Sequence, residues 1–209
     1  DRLASLADIV THRDLRGADV AVSDFAMLRQ SRWREAIASS FDRPELRPFL
    51  GGIRSITVRY AAHPGAGGGE TNLIKPLYHV AWLASRLGMT VAEPLRGDGG
   101  GVLSGALRAG RRRVSIALVP TASPTPPGTT LAVELAAARR TAALEVAVTA
   151  EAEAVIVRAS QDGIALPARR FMAPRRTEVE LLAETIESVG RGPVATAALL
   201  TAAAMVDRG

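Results

Sequence analysis

The spacing of apolar residues predicts a helix between positions 24 and 41. Trp33, Ile37 and Phe41 recur every four residues and therefore share one stripe, which we expect to face a core. After Pro44, a short helical turn is predicted before the chain enters a strand. Its apolar residues are Leu46, Phe49 and Leu50.

A second helix is predicted to end at Leu87, where Gly88 provides a natural cap. Pro76 has to lie in its first turn, because a missing N–H does least harm there. Trp82 lies roughly 200° around the helix from Val80, nearly opposite the apolar stripe. We expect Trp82 to pack against either a second layer of the same domain or a partner. The stripe consists of Leu73, Leu77, Val80, Ala84 and Leu87.

The pattern from position 53 to about 172 is typical of strands. Apolar Ile56, Val58 and Tyr60 alternate with polar neighbours, as in a half-buried strand. Further short apolar segments follow, separated by glycine and proline turns. Their close spacing favours an antiparallel meander over alternating strand and helix units. The candidates are Val91–Leu95, Gly101–Ala109, Val114–Pro120, Thr129–Ala137, Ala142–Thr149, Ala154–Ala159 and Ile164–Phe171.

Two helices are predicted to close the chain. The first begins at Thr177, where acidic residues in the first turn interact favourably with the helix dipole. Val179, Leu182 and Ile186 form its apolar face. The alanine-rich segment 194–206 predicts a final helix that packs closely against the sheet or another subunit.

These elements predict an α+β fold, with a largely antiparallel multi-stranded sheet, N-terminal helices packed on it and two C-terminal helices. We expect a single domain over residues 1–209. Its helix-rich part spans about 1–88, its strand-rich part about 89–172 and its closing helices about 177–206. Because the chain begins without an initiator Met or a leader pattern, we expect it to be a fragment of a longer chain.

The composition permits a substantial core, since 47% of the 209 residues are hydrophobic. The formal charge is +5, but Lys75 is the only lysine among 26 basic residues and the arginines are scattered. Aromatic residues make up only 4% of the chain. Nucleic-acid binders usually concentrate basic side chains and interleave aromatic ones, so no nucleic-acid partner is predicted.

Cysteine and histidine usage gives no support for a metal or redox site. The chain has no cysteine, and His12, His63 and His79 are far apart, so each is interpreted as an ordinary surface or core residue. The longest apolar stretch, residues 194–206, is too short to cross a bilayer. We expect a cytoplasmic protein with no membrane contact, no metal and no cofactor.

No motif demands a particular reaction. The glycine-rich segment 63–70 lacks the glycine spacing and the lysine of nucleotide-binding loops, which favours a flexible linker. Ser104 lies between glycines at the wrong spacing for a nucleophile elbow. Neighbouring carboxylates are two positions apart and point in different directions. No catalytic residue is predicted, which favours a binding or scaffolding protein.

Both tryptophans lie in predicted helices beside arginines. Trp33 directly precedes Arg34, and Trp82 and Arg86 share one side of their helix, on which His79 is also expected. Tryptophan and arginine side chains dominate the energetics of many protein interfaces. The two helices therefore predict contact surfaces.

Three ordered blocks, at 24–41, 44–55 and 81–88, resemble the glucose-6-phosphate dehydrogenase assembly protein (OpcA) family. In the first block, Met27 stands where the family commonly has its first Trp. The strand-rich remainder resembles the family's C-terminal region in general pattern. Four residues of the first block match family positions: Asp24, Arg29, Trp33 and Arg34.

The resemblance implies a non-catalytic partner of glucose-6-phosphate dehydrogenase, the first enzyme of the oxidative pentose-phosphate pathway. Such a protein binds the dehydrogenase oligomer and promotes its assembly or active form. Family members also carry an N-terminal α/β portion, which we expect to lie outside this chain. The residues expected to contact the dehydrogenase are Asp24, Arg29, Trp33, Arg34, Trp82 and Arg86.

A small-molecule sensing domain is the alternative. It would bind a sugar phosphate or a nucleotide through arginines such as Arg54, Arg59 and Arg111. The run 111–113 is compatible with an anion clamp, although a solvated hairpin tip is the commoner structure for such a run. An uncharacterised enzyme is a third possibility, which the missing catalytic groups disfavour.

Overall fold

The computed structural model describes residues 2–11, 24–62, 71–187 and 192–206. The predicted linker at 63–70 lies outside these residues, as do His12 and His63. The helices are α1 (Arg2–Thr11), α2 (Phe25–Leu28), α3 (Ser31–Ser39), α4 (Ile74–Arg86), α5 (Glu178–Glu187) and α6 (Gly192–Met205), with a 3-10 helix at Arg47–Gly52. The strands are β1 (Ile53–Ala62), β2 (Thr90–Gly97), β3 (Leu103–Ala109), β4 (Arg112–Ala122), β5 (Thr130–Arg139), β6 (Ala142–Glu151), β7 (Ala154–Gln161), β8 (Ile164–Ala165) and β9 (Arg169–Met172).

The strands of the described residues form one sheet in the order β2-β3-β4-β1-β5-β6-β7, and both β8 and β9 pair with β7. All pairings are antiparallel except that of β1 with β4. The predicted α+β class with its largely antiparallel sheet is confirmed. The predicted meander is divided, because β1 lies between β4 and β5. The segment that joins those two strands is tied to the end of β1 where Gly128 N donates to Ala61 O at 2.9 Å.

Two predicted elements are interrupted. The helix predicted at 24–41 consists of α2 and α3, separated at Arg29 and Gln30. The predicted strand Ile164–Phe171 is split into β8 and β9, because Pro167 has no N–H to donate to the ladder. Both halves still lie along β7.

One face of the sheet forms the core. A row of directly paired residues crosses five strands, and each of its side chains is at most 3% exposed. Burying each such aliphatic side chain stabilises the fold by about 1.5–3 kcal/mol. The row is Leu118, Val58, Val133, Val148 and Val157.

The opposite face carries small and polar side chains. The neighbouring row consists of Ala117, Thr57, Glu134, Ala147 and Arg158, all of them half-buried or exposed. This alternation is what a strand covered on one side requires. The helices therefore pack on a single face.

Helix α4 lies at the centre of the helical layer. It packs on β1, β4 and β5, and α6 packs on it in turn. Ala198 and Ala202 of α6 are fully buried, because their small side chains permit close approach of the two helices. Gly88 ends α4 with φ of +62°, a conformation that glycine adopts without strain. The predicted cap is confirmed.

Candidate functional site

Asp24 joins α2 to α4. Its Oδ1 accepts a hydrogen bond from Ala26 N at 2.7 Å, which caps the start of α2. Its Oδ2 accepts a hydrogen bond from the Tyr78 hydroxyl of α4 at 2.8 Å. The side-chain amide of Gln30 adds a second link by donating to Lys75 O at 2.8 Å. These bonds fix the N-terminal helices against the first half of α4.

Trp33 contributes to the core beside His79. Its side chain is 9% exposed, and the two ring centroids are 5.2 Å apart with an interplanar angle of 54°. His79 was expected on the outward side of α4, but it is fully buried, because α2 and α3 cover that side of the helix. Burial, reinforced by the nearby guanidinium of Arg34, lowers the pKa of His79 to about 3. His79 is therefore a neutral core residue.

Arg34 is also largely buried. Its guanidinium donates a hydrogen bond to Met27 O, which closes the junction between α2 and α3. Burial lowers the pKa of Arg34, and attraction by Glu184 of α5 opposes that shift. Arg34 therefore links α3 to α2 through a partly buried guanidinium group.

Trp82 and Arg86 lie further along α4. Trp82 is half-buried and packs against the edge of the core, whereas Arg86 is exposed in the last turn. Arg86 lies eleven positions after Lys75, which corresponds to roughly 16 Å along the helix axis. The six predicted contact residues thus divide into a group near the start of α4 and a pair near its end.

A basic pocket, lined by cations from three parts of the chain, lies beside the start of α4. Arg29 follows α2, Lys75 is in the first turn of α4, and Arg175 and Arg176 precede α5. The cavity has a volume of about 550 Å³. Its further lining residues are Thr129, Ala152, Ala173, Pro174, Thr177 and Glu178.

The positive charges of this basic pocket act on one another. The pKa of Lys75 is lowered by burial first, and then by the charges of Arg29 and Arg175. The first turn of α4 adds the positive end of the helix dipole. The chain's one lysine therefore lies in a strongly electropositive cavity, which the sequence analysis did not find. The adjacent arginines at 175 and 176 were the available signal.

The apolar face predicted for α5 is not part of the core. Val179, Leu182 and Ile186 are 77%, 52% and 65% exposed, whereas neighbouring Leu181 is fully buried. These three exposed side chains, here called the α5 stripe, share one face of the helix. The apolar face predicted for α5 is thus exposed, and Leu181 is the residue that α5 buries against the rest of the chain. The α5 stripe is therefore a candidate interaction surface.

The arginines of the alternative sensing site do not form one site. The Arg59 guanidinium pairs with Glu134 on the open sheet face, with Nε and Oε1 2.7 Å apart. Arg111 is exposed at the β3–β4 hairpin tip. Next to it, Arg112 donates to Ile53 O at 3.1 Å, and Arg113 pairs with Glu93. The run 111–113 is thus a hairpin tip, in which Arg112 and Arg113 have separate partners.

No group of three His, Asp or Glu side chains in the described ranges is arranged to hold a metal ion. Among the helices that the structure describes, none combines the length and the apolar character needed to cross a membrane.

These features place the chain in the class of α+β folds with one helical layer on a mostly antiparallel sheet. A family model, described as the C-terminal domain of a glucose-6-phosphate dehydrogenase subunit, matches residues 20–199. The chain belongs to this family, and the resemblance to OpcA proteins is confirmed. Among curated proteins, no sequence relative matches the chain.

Solved structures share the fold at low sequence identity. A point mutant of KijD10, a 3-ketoreductase from Actinomadura kijaniata in complex with TDP-benzene and NADP, is 16% identical with a TM-score of 0.56. The match covers 98% of this chain and 64% of that one. The putative oxidoreductase yvaA from Bacillus subtilis is 10% identical with a TM-score of 0.52, over 97% of this chain and 66% of its own. The chain thus spans slightly less than two thirds of either protein, and the likeness concerns the fold alone.

Proposed function

We propose that this chain is a non-catalytic component that binds glucose-6-phosphate dehydrogenase and promotes its assembly or active form. The observation that carries this function is the family match over residues 20–199, whose description is of a subunit of that dehydrogenase. A subunit without a catalytic role acts by binding the active conformation or oligomer more tightly than the inactive one. The pentose-phosphate pathway is then its setting.

The surface proposed for this contact combines exposed arginine with exposed apolar side chains. Arg29 and Arg86 are exposed, and Trp82 is half-buried. Arg29 lies beside α5, where its Nη2 is 3.8 Å from Glu178 Oε1, so it is continuous with the α5 stripe. An interface core of large apolar residues with an arginine rim is the arrangement found in many protein complexes.

The other predicted contact residues support this surface from inside. Asp24 and Trp33 contact side chains of α4. Arg34 of α3 donates a hydrogen bond to the backbone of α2. We propose that they hold α2 and α3 in place and that their effect on dehydrogenase binding is indirect. Substituting them would lower stability together with binding.

A binding titration with purified dehydrogenase tests the contact surface. Trp82→Ala is expected to weaken binding by about 2 kcal/mol, roughly 30-fold, as loss of an interface anchor does. Because Trp82 also touches the core, thermal unfolding of the variant has to be measured alongside. A variant that melts early assigns Trp82 to the fold instead of the interface.

Leu182→Asp is the second variant, since Leu182 is more than half exposed and contributes little to the core. It places a charge in the α5 stripe and is expected to weaken binding at least as much as Trp82→Ala, with unchanged thermal unfolding. Ile164→Asp is the matched control, because Ile164 is 72% exposed at the distant β7–β8 hairpin. Equal losses for Leu182→Asp and Ile164→Asp would contradict a specific role for α5.

A further inference from the structure

The basic pocket brings together side chains that are distant in sequence. Arg29, Lys75 and the pair Arg175–Arg176 come from three segments and line one cavity of about 550 Å³. Clustering like charges costs free energy, particularly where burial reduces their hydration. Such an arrangement is stabilised when an anion occupies the cavity.

The carboxylates near the pocket compensate only part of this charge. Glu178 is 3.8 Å from Arg29, but its side chain is 80% exposed, so the pair is weak. Glu184 pairs with Arg176. Among the residues that the structure describes, no carboxylate lies within ion-pair distance of Lys75 or Arg175. Within the described part of the chain, the charges of these two cations are therefore not compensated by an ion pair.

We propose that the basic pocket binds the phosphate group of a small phosphorylated metabolite. A phosphate monoester accepts several charge-assisted hydrogen bonds at once from arginine and lysine side chains. Lys75 also lies in the first turn of α4, where the helix dipole favours an anion. The cavity volume lies within the range of small-molecule sites and leaves room for the body of the metabolite beyond its phosphate.

All the lining residues belong to this chain, so the site is tested on the purified protein alone. Calorimetric titration compares two matched pairs, glucose 6-phosphate with glucose and NADP+ with NAD+, and inorganic phosphate serves as the minimal probe. In at least one pair, the ligand with the additional phosphate is expected to bind at least tenfold more tightly. A preference within the glucose pair would identify the ligand as a sugar phosphate, and a preference within the NADP+ pair would identify it as a nucleotide. Equal affinities within both pairs, or no binding of any phosphorylated probe, would overturn the assignment.

Substitutions inside and outside the basic pocket test whether the phosphorylated ligand binds there. Arg175→Gln and Lys75→Gln are each expected to weaken phosphate-dependent binding at least tenfold, because each removes a charged donor. Arg175 is exposed, so Arg175→Gln is expected to fold even if Lys75→Gln does not. Arg111→Gln is the control, since it removes the same charge at a hairpin tip outside the pocket. If Arg111→Gln weakens binding as much as Arg175→Gln does, the interaction reflects net charge and the pocket is not the site.

Discussion

Helices α4 and α5 carry the same kind of sequence signal but have different environments. Each has apolar residues at helical spacing, and an apolar face was predicted for both. Leu77 of α4 is 3% exposed, whereas Leu182 of α5 is 52% exposed. Apolar periodicity therefore predicts that a helix has an apolar face, but the neighbouring elements decide whether this chain covers it.

The two helices are also stabilised in different ways. Helix α4 is covered by the sheet, by α6 and by α2, so tertiary packing holds it. Helix α5 begins with a reciprocal capping box: Thr177 N donates to Glu180 Oε2 at 2.7 Å, and Glu180 N donates to Thr177 Oγ1 at 3.3 Å. Local hydrogen bonds thus substitute for part of the packing that α5 lacks.

The largest expected effect is a loss of stability when a buried side chain of α4 is truncated. Leu77→Ala should reduce the free energy of unfolding by about 2–5 kcal/mol, because it leaves a cavity beneath α4. Leu182→Ala, the same chemical change on α5, should alter it by no more than about 0.5 kcal/mol. Urea unfolding of the two variants measures both values. Similar losses for both would show that α5 is packed after all.

The next effect depends on pH and concerns His79 of α4. The pKa of His79 is about 3 in the folded protein and near 6.5 when unfolded, so the unfolded state alone gains a proton between these values. The contribution of His79 to stability is complete above pH 6.5. As the pH falls from 6.5 toward 3, this contribution to the free energy of unfolding decreases by up to about 1.4 kcal/mol per pH unit.

His79→Leu removes the titratable group and places an apolar side chain at this buried position. The difference in unfolding free energy between the protein and the variant should therefore change with pH between 6.5 and 4. Unfolding experiments at several pH values check this difference. A constant difference across that range would show that His79 is solvated or partnered in the folded state.

The smallest expected effect concerns the cap of α5. Thr177→Ala should destabilise α5 by about 1 kcal/mol, because the first-turn N–H of Glu180 loses its acceptor. Hydrogen exchange should accelerate at residues 178–187 while the amides of β1 and β5 keep their protection. Unchanged exchange in α5 would mean that packing, and not the cap, maintains the helix.

Much of the fold could be predicted because its strands and turns carry local signals. The alternation at Ile56, Val58 and Tyr60 predicted the covered face of β1, and all three side chains are buried. Gly88 marked the end of α4 through its backbone conformation. The position of β1 between β4 and β5 could not be predicted, because pairing partners depend on contacts between distant segments. Pro167 was the available signal for the split of the last strand.

The candidate site was less accessible to sequence reasoning. Trp33 and Arg34 matched a family block, but their contacts with His79 and Met27 depend on how α2 and α3 pack on α4. The basic pocket combines residues separated by up to 147 positions, from Arg29 to Arg176, so the adjacent pair Arg175–Arg176 is only a partial local signal of it. The contacts of Trp33 and Arg34 and the composition of the basic pocket have the same cause. Both depend on tertiary structure, which brings distant segments together.

Hydrogen exchange of this chain with and without glucose-6-phosphate dehydrogenase tests the central claim most directly. If the α5 stripe binds the dehydrogenase, amides at residues 178–187 should become protected in the mixture while those of the central strands remain unchanged. Exchange rates in α5 that stay the same at saturating dehydrogenase would contradict the account.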